Sequence, residues 1–341
     1  MRSALRAGAR RRDRAPFRGG DRRLDGARAG ADAVIAKEGR MPTHDARLTG
    51  LVAATLTPFG RDGGIDHDQV AAHAAWLVER GIRVLAPAGT TGEALYLAER
   101  EKIELIETVV GAVRGRAAVI AGIWGLTPAE VARLARAAEA AGADAVFLTT
   151  PIYYPHSAES LAAWYRHARA ATALPLFAYN IPQYAANEIP VPLVAQLVEE
   201  GVIAGIKDST GQADRLTALL EAVGERALVY GASDSFALAA RRLGAHGFIS
   251  ALANLFPALF HRIWEGEASA QALVDRVRTA TKGYGGIAAL KHLLRRHGFD
   301  FGGTRLPFSE LTDATRAELD RAVEAIGVWQ AEAAEAGARP A

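Results

Sequence analysis

The chain has 341 residues, of which 50% are hydrophobic and 23% charged, and its formal net charge is +2. This is enough apolar material for one α/β barrel of about 250 residues with extensions. The absence of cysteine excludes disulfides, thiolate nucleophiles and thiolate metal ligands, and it suits a reducing cytoplasm. No apolar run approaches the roughly 18 residues of a membrane span. We therefore expect a cytoplasmic protein with no membrane partner.

The charge is unevenly distributed along the chain. Residues 1–40 carry 12 basic and 5 acidic side chains, which leaves the rest of the chain with a net charge of −5. An acidic body gives no reason to expect a nucleic-acid partner. We predict that residues 1–46 form a disordered basic leader without the apolar core of a secretory signal. Three interpretations of it stay open: a true translation start at Met41, a disordered tail, and a targeting sequence.

After the leader, short apolar runs alternate with amphipathic helical segments. The runs are nearly continuous in hydrophobicity, which is typical of strands buried on both faces. The predicted strands are 51–57, 84–88, 118–123, 145–149, 174–179, 203–207, 228–231 and 247–251. Helices, with apolar residues at three- and four-residue steps, are predicted at 70–79, 99–113, 128–140, 158–171, 192–199 and 214–222. Helix ends are predicted at Gly81, Gly142, Gly201 and Gly244.

Eight strands that alternate with helices predict a parallel (β/α)8 TIM barrel, of the α/β class, over residues 47–255. A doubly wound open sheet is the alternative. Residues 256–341 are predicted to form a C-terminal helical extension. Its helices are expected at 257–265, 269–281, 286–297 and 312–336.

Polar side chains follow several predicted strands, and Lys207 is the most informative of them. Barrel enzymes keep their chemistry at the carboxyl ends of the strands, and a buried amine there can attack a carbonyl. Other candidates at strand ends are Gly89, Thr90, Thr91, Tyr153, Tyr179, Asp234 and Ser250. No cluster there has the spacing of metal ligands, so we predict no metal site.

Each of these residues also has a purely structural interpretation. A lysine after an apolar strand is usually a solvated strand end, and Tyr179 alone would more often be a packed ring. Thr90 and Thr91 are compatible with a simple turn, and Asp234 with a helix cap. Their coincidence at successive strand ends favours a shared site, with amine chemistry on a carbonyl and hydroxyl groups that move protons.

Three motifs together resemble a known family. The segments GTTGE at 89–93, YNIP at 179–182 and GIKD at 205–208, in this order and spacing, resemble the dihydrodipicolinate synthase / N-acetylneuraminate lyase family. The resemblance runs from about residue 48 to about residue 312. It implies a TIM-barrel lyase that acts through a Schiff base with pyruvate, needs no metal or organic cofactor, and assembles as a homotetramer, a dimer of dimers.

The resemblance also implies roles for individual residues. Lys207 would form the Schiff base with the ketone carbon of pyruvate, and Tyr179 would be the acid/base beside it. Thr90 would relay protons between Tyr179 and a Tyr153 lent by a neighbouring subunit. From the strand-end pattern and the resemblance together, further substrate contacts are predicted for Gly89, Thr91, Ile249, Ser209, Asp234, Tyr184 and Ser250.

The second substrate is less well defined. True synthases of the family carry an arginine where this chain has Tyr184, and their lysine-feedback pocket would need polar or aromatic groups where Leu126 and Ile152 stand. Sialic acid lyases place a glutamate where this chain has Ser235. The hydroxyl groups near the strand ends, Ser209 among them, are similar to those of 2-keto-3-deoxy sugar acid aldolases.

We therefore predict an aldolase or lyase whose partners are pyruvate and an aldehyde or 2-oxo acid, with a 2-keto-3-deoxy sugar acid as the favoured substrate. Alternatives within the family are a 4-hydroxy-tetrahydrodipicolinate synthase, a lyase for sialic acid or 4-hydroxy-2-oxoglutarate, and a deoxy-oxo-sugar-acid dehydratase. The alternative of a different class is a catalytically silent paralogue that binds a 2-oxo acid.

Overall fold

The computed structural model describes residues 45–336, so all but the last two residues of the predicted leader lie outside it. Its strands are β1 (Gly50–Ala53), β2 (Val84–Leu85), β3 (Ala118–Gly122), β4 (Ala145–Thr149), β5 (Leu176–Asn180), β6 (Gly205–Asp208), β7 (Leu228–Ala232) and β8 (Gly247–Ser250). Each strand runs parallel to the next along the chain, and β8 closes the barrel on β1. The predicted (β/α)8 barrel is confirmed, and the open sheet is wrong.

The predicted strands overlap all eight observed ones, but β2 is much shorter than the run at 84–88. Pro87 has no N–H to continue the ladder. Ala88 then adopts a left-handed conformation with φ 55°. The chain therefore leaves the sheet early and turns over the barrel mouth.

The helices around the barrel are α1 (His67–Glu79), α2 (Glu99–Val113), α3 (Pro128–Ala141), α4 (Ala158–Ala170), α5 (Pro182–Ala185), α6 (Val191–Glu199), α7 (Ala213–Val223) and α8 (Ala237–Arg242). The six predicted helices are confirmed to within a few residues. The sequence pattern missed α5 and α8, which are too short to show a helical period. All four glycines predicted at helix ends have positive φ.

The C-terminal helices are α9 (Pro257–Trp264), α10 (Ala268–Gly283), α11 (Ile287–Leu293), α12 (Asp313–Glu324) and α13 (Val328–Ala336). The single helix predicted at 312–336 is wrong, because Gly327 with φ 76° separates α12 from α13. Glu332 on α13 accepts hydrogen bonds from the first N–H groups of α9, Ala258 at 2.9 Å and Leu259 at 3.0 Å. The extension is thus fastened to the barrel.

Side chains alternate between the barrel interior and the layer under the helices. Phe177 and Tyr230 fill the interior and stack with their ring centroids 5.1 Å apart. A Cβ on Gly205 would lie 2.5 Å from the Phe177 ring, so this glycine makes room for the ring. Because every second side chain points inward, Tyr179 and Lys207 follow Phe177 and Gly205 into the interior, nearer the carboxyl end.

Within residues 45–336, every helix is too short or too polar to cross a membrane.

Candidate active site

Lys207 lies on the inner face of β6, opposite Tyr179 on β5 and Tyr230 on β7. The residue is only 6% exposed. Its Nζ is 3.9 Å from the centroid of the Tyr179 ring and 5.6 Å from that of Phe147. Aromatic faces attract the protonated amine and exclude water from it. The amine is therefore held in a dry position at the carboxyl end of the barrel.

The Tyr179 hydroxyl and Thr90 Oγ1 are 3.3 Å apart and share a hydrogen bond. The Tyr179 ring is 2% exposed and meets Trp124 and Phe147 edge to face, each with centroids 5.8 Å apart. These contacts leave the ring little freedom to rotate. The structure thus brings Lys207, Tyr179 and Thr90 together, as the sequence predicted.

The loop that carries Thr90 and Thr91 is held close to the barrel wall. A Cβ on Gly89 would lie 3.1 Å from the Phe147 ring. The Gly92 carbonyl accepts a hydrogen bond of 2.7 Å from the Thr57 hydroxyl. Thr91 is partly exposed beside Thr90. The backbone can therefore approach a ligand closely along this loop.

Glu93 ends this loop in a left-handed conformation and carries a fully buried carboxylate. Its Oε1 lies 2.5 Å from Nζ of Lys291 on α11, and its Oε2 accepts the Arg305 N–H at 2.9 Å. Burial lowers the pKa of Lys291 to about 8, while the charge of Glu93 acts in the opposite direction. Sequence analysis missed this pair, because the two residues are separated by more than half of the chain.

Behind the Lys207 strand, a buried polar network ties β5 to β6. The Asn180 amide donates to Asp208 at 2.7 Å, and Asp208 also accepts from Arg215 Nε on α7 at 2.7 Å. Thr210 Oγ1 donates to the second Asp208 oxygen. The network orients the ends of both strands and leaves Asp208 fully partnered.

Tyr153 and Tyr184, in contrast, point to solvent at the edge of the mouth. They are 80% and 72% exposed. Tyr153 has φ 80° and packs edge to face on Tyr154, with centroids 4.9 Å apart. Within the described part of the chain, Tyr153 makes no hydrogen bond to Thr90. A cleft of about 1020 Å³ passes beside Tyr154, between Trp124 and His167.

Asp234 and Ser250 bind each other. The Ser250 hydroxyl donates to Asp234 Oδ1 at 2.6 Å, and both side chains are buried. Burial raises the pKa of Asp234, and the Ser250 hydrogen bond partly opposes the shift. Ile249, the residue before Ser250 on β8, faces the barrel interior, and Ser209 follows β6 in a partly exposed position. Substrate contacts for these residues stay predictions.

A cavity of about 450 Å³ opens over the site. Its lining shares Thr90 and Trp124 with the surroundings of Tyr179, and Tyr184 and Lys282 border its outer part. Within residues 45–336, five non-glycine residues have positive φ, and all five lie in segments that follow the carboxyl ends of strands: Ala88, Glu93, Tyr153, Ala186 and Ser233. Backbone strain of this kind concentrates at functional sites. In residues 45–336, no group of three or more acidic or histidine side chains could hold a metal ion.

The profile of the dihydrodipicolinate synthetase family matches residues 47–326. The chain belongs to this family. The family comprises pyruvate aldolases that act through a Schiff base, so the protein is a lyase. A relative, the 4-hydroxy-tetrahydrodipicolinate synthase of Methylobacterium radiotolerans, is 33% identical over 83% of this chain and 97% of its own.

Solved structures of the family have the same architecture. The dihydrodipicolinate synthase of Acinetobacter baumannii, complexed with pyruvate, is 30% identical, with a TM-score of 0.76 over 82% of this chain and 99% of its own. The sialic acid aldolase of Ruminococcus gnavus is 22% identical, with a TM-score of 0.80 over 84% of this chain and 99% of its own. The second likeness concerns the fold alone.

Proposed function

We propose that Lys207 condenses with pyruvate and that the resulting enamine adds reversibly to an aldehyde. The observation that carries this proposal is the buried Lys207 amine, 3.9 Å from the centre of the Tyr179 ring, whose hydroxyl is hydrogen-bonded to Thr90. A buried amine beside a proton-transfer group is what imine formation requires. Thr91 and the N–H groups of its loop are suited to hold the pyruvate carboxylate.

The proposed reaction starts and ends with the free amine of Lys207. The amine attacks the ketone carbon, and loss of one water gives a protonated imine. This imine withdraws electrons, so the methyl group loses a proton and becomes the nucleophilic carbon of an enamine. That carbon forms a bond to the aldehyde carbon, whose oxygen takes up a proton. Water then releases the product and restores Lys207. Tyr179 and Thr90 supply and receive these protons.

Tyr153 completes the proton relay in this proposal when a second copy of the chain brings it to Thr90. Support comes from its outward orientation and strained backbone, and from large apolar groups exposed nearby. Tyr154 is 67% exposed and Leu126 72% exposed beside the same cleft. Exposed patches of this kind mark interaction surfaces. We therefore propose the homotetramer, a dimer of dimers, that the family resemblance implies.

As the first candidate for the aldehyde, we propose the one that is released when a 2-keto-3-deoxy sugar acid is cleaved to pyruvate and an aldehyde. Hydroxyl groups at Tyr184, Ser209 and Ser233 support it. The second candidate is 4-hydroxy-tetrahydrodipicolinate synthesis, which the names of relatives at 33% identity support. Against it stands Tyr184, in place of the arginine that the resemblance to synthases implies. A comparison of aspartate semialdehyde with glyceraldehyde, each with pyruvate, discriminates between the two candidates.

The reaction itself is tested by trapping. Incubation with pyruvate and borohydride is expected to add one reduced pyruvate unit to Lys207, as located by peptide mass spectrometry. Lys102 and Lys291 are buried lysines in the same chain and serve as internal controls. The Lys207→Ala variant is expected to lose both adduct and turnover. Turnover retained by that variant, or an adduct at a control lysine instead, would refute the imine mechanism.

A further inference from the structure

The cavity over the site has one charged residue without a counter-ion. Lys282, in the last turn of α10, is exposed and lines this cavity together with Thr90 and Tyr184. Within residues 45–336 it makes no ion pair or hydrogen bond. The other lysines there are engaged: Lys102 with a carbonyl, Lys291 with Glu93, and Lys207 with aromatic rings. Its ammonium group is therefore available to a ligand.

The Glu93 carboxylate, which lines the same cavity, does not neutralise Lys282, because it is paired elsewhere, as are two further carboxylates of the barrel. Glu93 is bound by Lys291 at 2.5 Å, and Asp208 by Arg215 at 2.7 Å. Glu101, in the first turn of α2, accepts from Arg305 at 2.7 Å. These three carboxylates are thus already paired with cations.

A second cation lies one turn before Lys282 on the same face of α10. Arg278 donates to two neutral hydroxyls, Ser233 at 3.1 Å and Ser235 at 3.4 Å, in the loop after β7. Residues four apart on a helix are neighbours on its surface. Two positive charges therefore lie near each other on one face of α10. Within residues 45–336 neither makes an ion pair, and the carboxylate on which Arg278 acts is the buried Asp234, whose pKa is raised by burial while the charge of Arg278 acts to lower it.

We propose that Lys282 recognises an anionic group, carboxylate or phosphate, at the end of the aldehyde substrate that is remote from the reacting carbon. The inference rests on the proposed function, which places pyruvate at Lys207, and it adds that the aldehyde extends into the cavity that Thr90 and Lys282 line. The walls of this cavity are largely apolar, formed by Trp124, Ile181 and Phe308 among others. A short chain with an anionic end fits these surroundings, and a positive charge in a low-dielectric mouth attracts such a ligand.

This recognition would take over the part that an arginine at position 184 plays in the synthases that the chain resembles. It also narrows the favoured substrate to a 2-keto-3-deoxy sugar acid with a second anionic group. A lysine in the last turn of a helix also stabilises the helix end. That structural effect does not select among aldehydes, so substrate preference distinguishes the two roles.

The test compares charged aldehydes with neutral counterparts, each with pyruvate: succinic semialdehyde with butanal, and glyceraldehyde 3-phosphate with glyceraldehyde. We expect the native enzyme to prefer at least one charged aldehyde, and the pair that shows the preference identifies carboxylate or phosphate. Lys282→Met is expected to lower that preference in kcat/KM roughly tenfold or more, as for loss of a charged hydrogen bond. Lys282→Arg should keep most of it, and added salt should weaken it.

Arg276→Met is the matched control, since it removes one exposed positive charge from the same helix, where Arg276 lies near the carbonyls of Ala325 and Ile326. The inference is overturned if Lys282→Met lowers kcat/KM equally for charged and neutral aldehydes, leaves both values unchanged, or instead raises the KM for pyruvate. Binding of the unreactive dianion glutarate, measured by calorimetry, must also weaken in Lys282→Met. Failure of pyruvate trapping at Lys207 would refute the proposed function, whereas glutarate binding tests Lys282 independently.

Discussion

Replacement of Lys291 by methionine is expected to destabilise the protein by about 3 to 5 kcal/mol, the usual effect of removing one partner from a buried ion pair. Lys291 is 1% exposed, and the Glu93 side chain is fully buried, so solvent does not screen the pair. The ammonium group also donates to the Gly303 carbonyl at 2.9 Å and lies 4.0 Å from the centroid of the Phe59 ring. All three contacts disappear in the variant.

Glu93 keeps one partner, the Arg305 N–H at 2.9 Å, which favours the lower end of that range. Because Glu93 ends the loop that begins with Gly89 and Thr90, we also expect kcat/KM to fall. Neutralising both groups, in Lys291→Met combined with Glu93→Gln, should recover most of the lost stability, since no buried charge is then left alone. If the double variant recovers this stability, the loss in Lys291→Met is due to the unpaired charge of Glu93 and not to the altered packing.

The assay is equilibrium denaturation in urea at pH 7, below the pKa of about 8 of Lys291, so that the amine is charged. Unfolding is followed by circular dichroism at a single protein concentration, so that any subunit association contributes in the same way to each measurement. Lys102→Met is the matched control, a buried lysine that donates to the Trp124 carbonyl at 2.7 Å and not to a carboxylate. This control substitution should lower the free energy of unfolding by about 1 to 3 kcal/mol. A loss below about 1 kcal/mol in Lys291→Met would refute the argument.

Two further predictions concern catalysis and pH dependence. Tyr179→Phe should lower turnover roughly 100-fold or more while pyruvate trapping at Lys207 persists; equal losses in both assays would contradict an acid/base role. Burial raises the pKa of Glu332 to about 7, above its usual 4.5. The stability that its protonation contributes is complete below about pH 4.5 and is lost as the pH rises through 7. Relative to Glu332→Gln, the native protein should therefore gain unfolding free energy between pH 7 and 4.5, by at most about 1.4 kcal/mol per pH unit; a constant difference in urea denaturation would count against it.

Local sequence patterns were enough to predict the barrel. Strand and helix periodicity is a property of neighbouring residues, and Gly142, which ends α3 with φ 89°, illustrates how a local conformational need is visible in the sequence. Since parallel strands must present their carboxyl ends together, Lys207, Tyr179 and Thr90 could be expected at one site without coordinates.

Tertiary structure decided what depends on contacts between distant segments. The Glu93–Lys291 pair joins the loop after β2 to a C-terminal helix, and Lys282 reaches the mouth only because α10 folds back over the barrel. The mutual hydrogen bond of Asp234 and Ser250 likewise depends on the packing of β7 beside β8. Periodicity carries no information about which remote segments meet, because that choice is made by the closure of the barrel and the packing of the whole core.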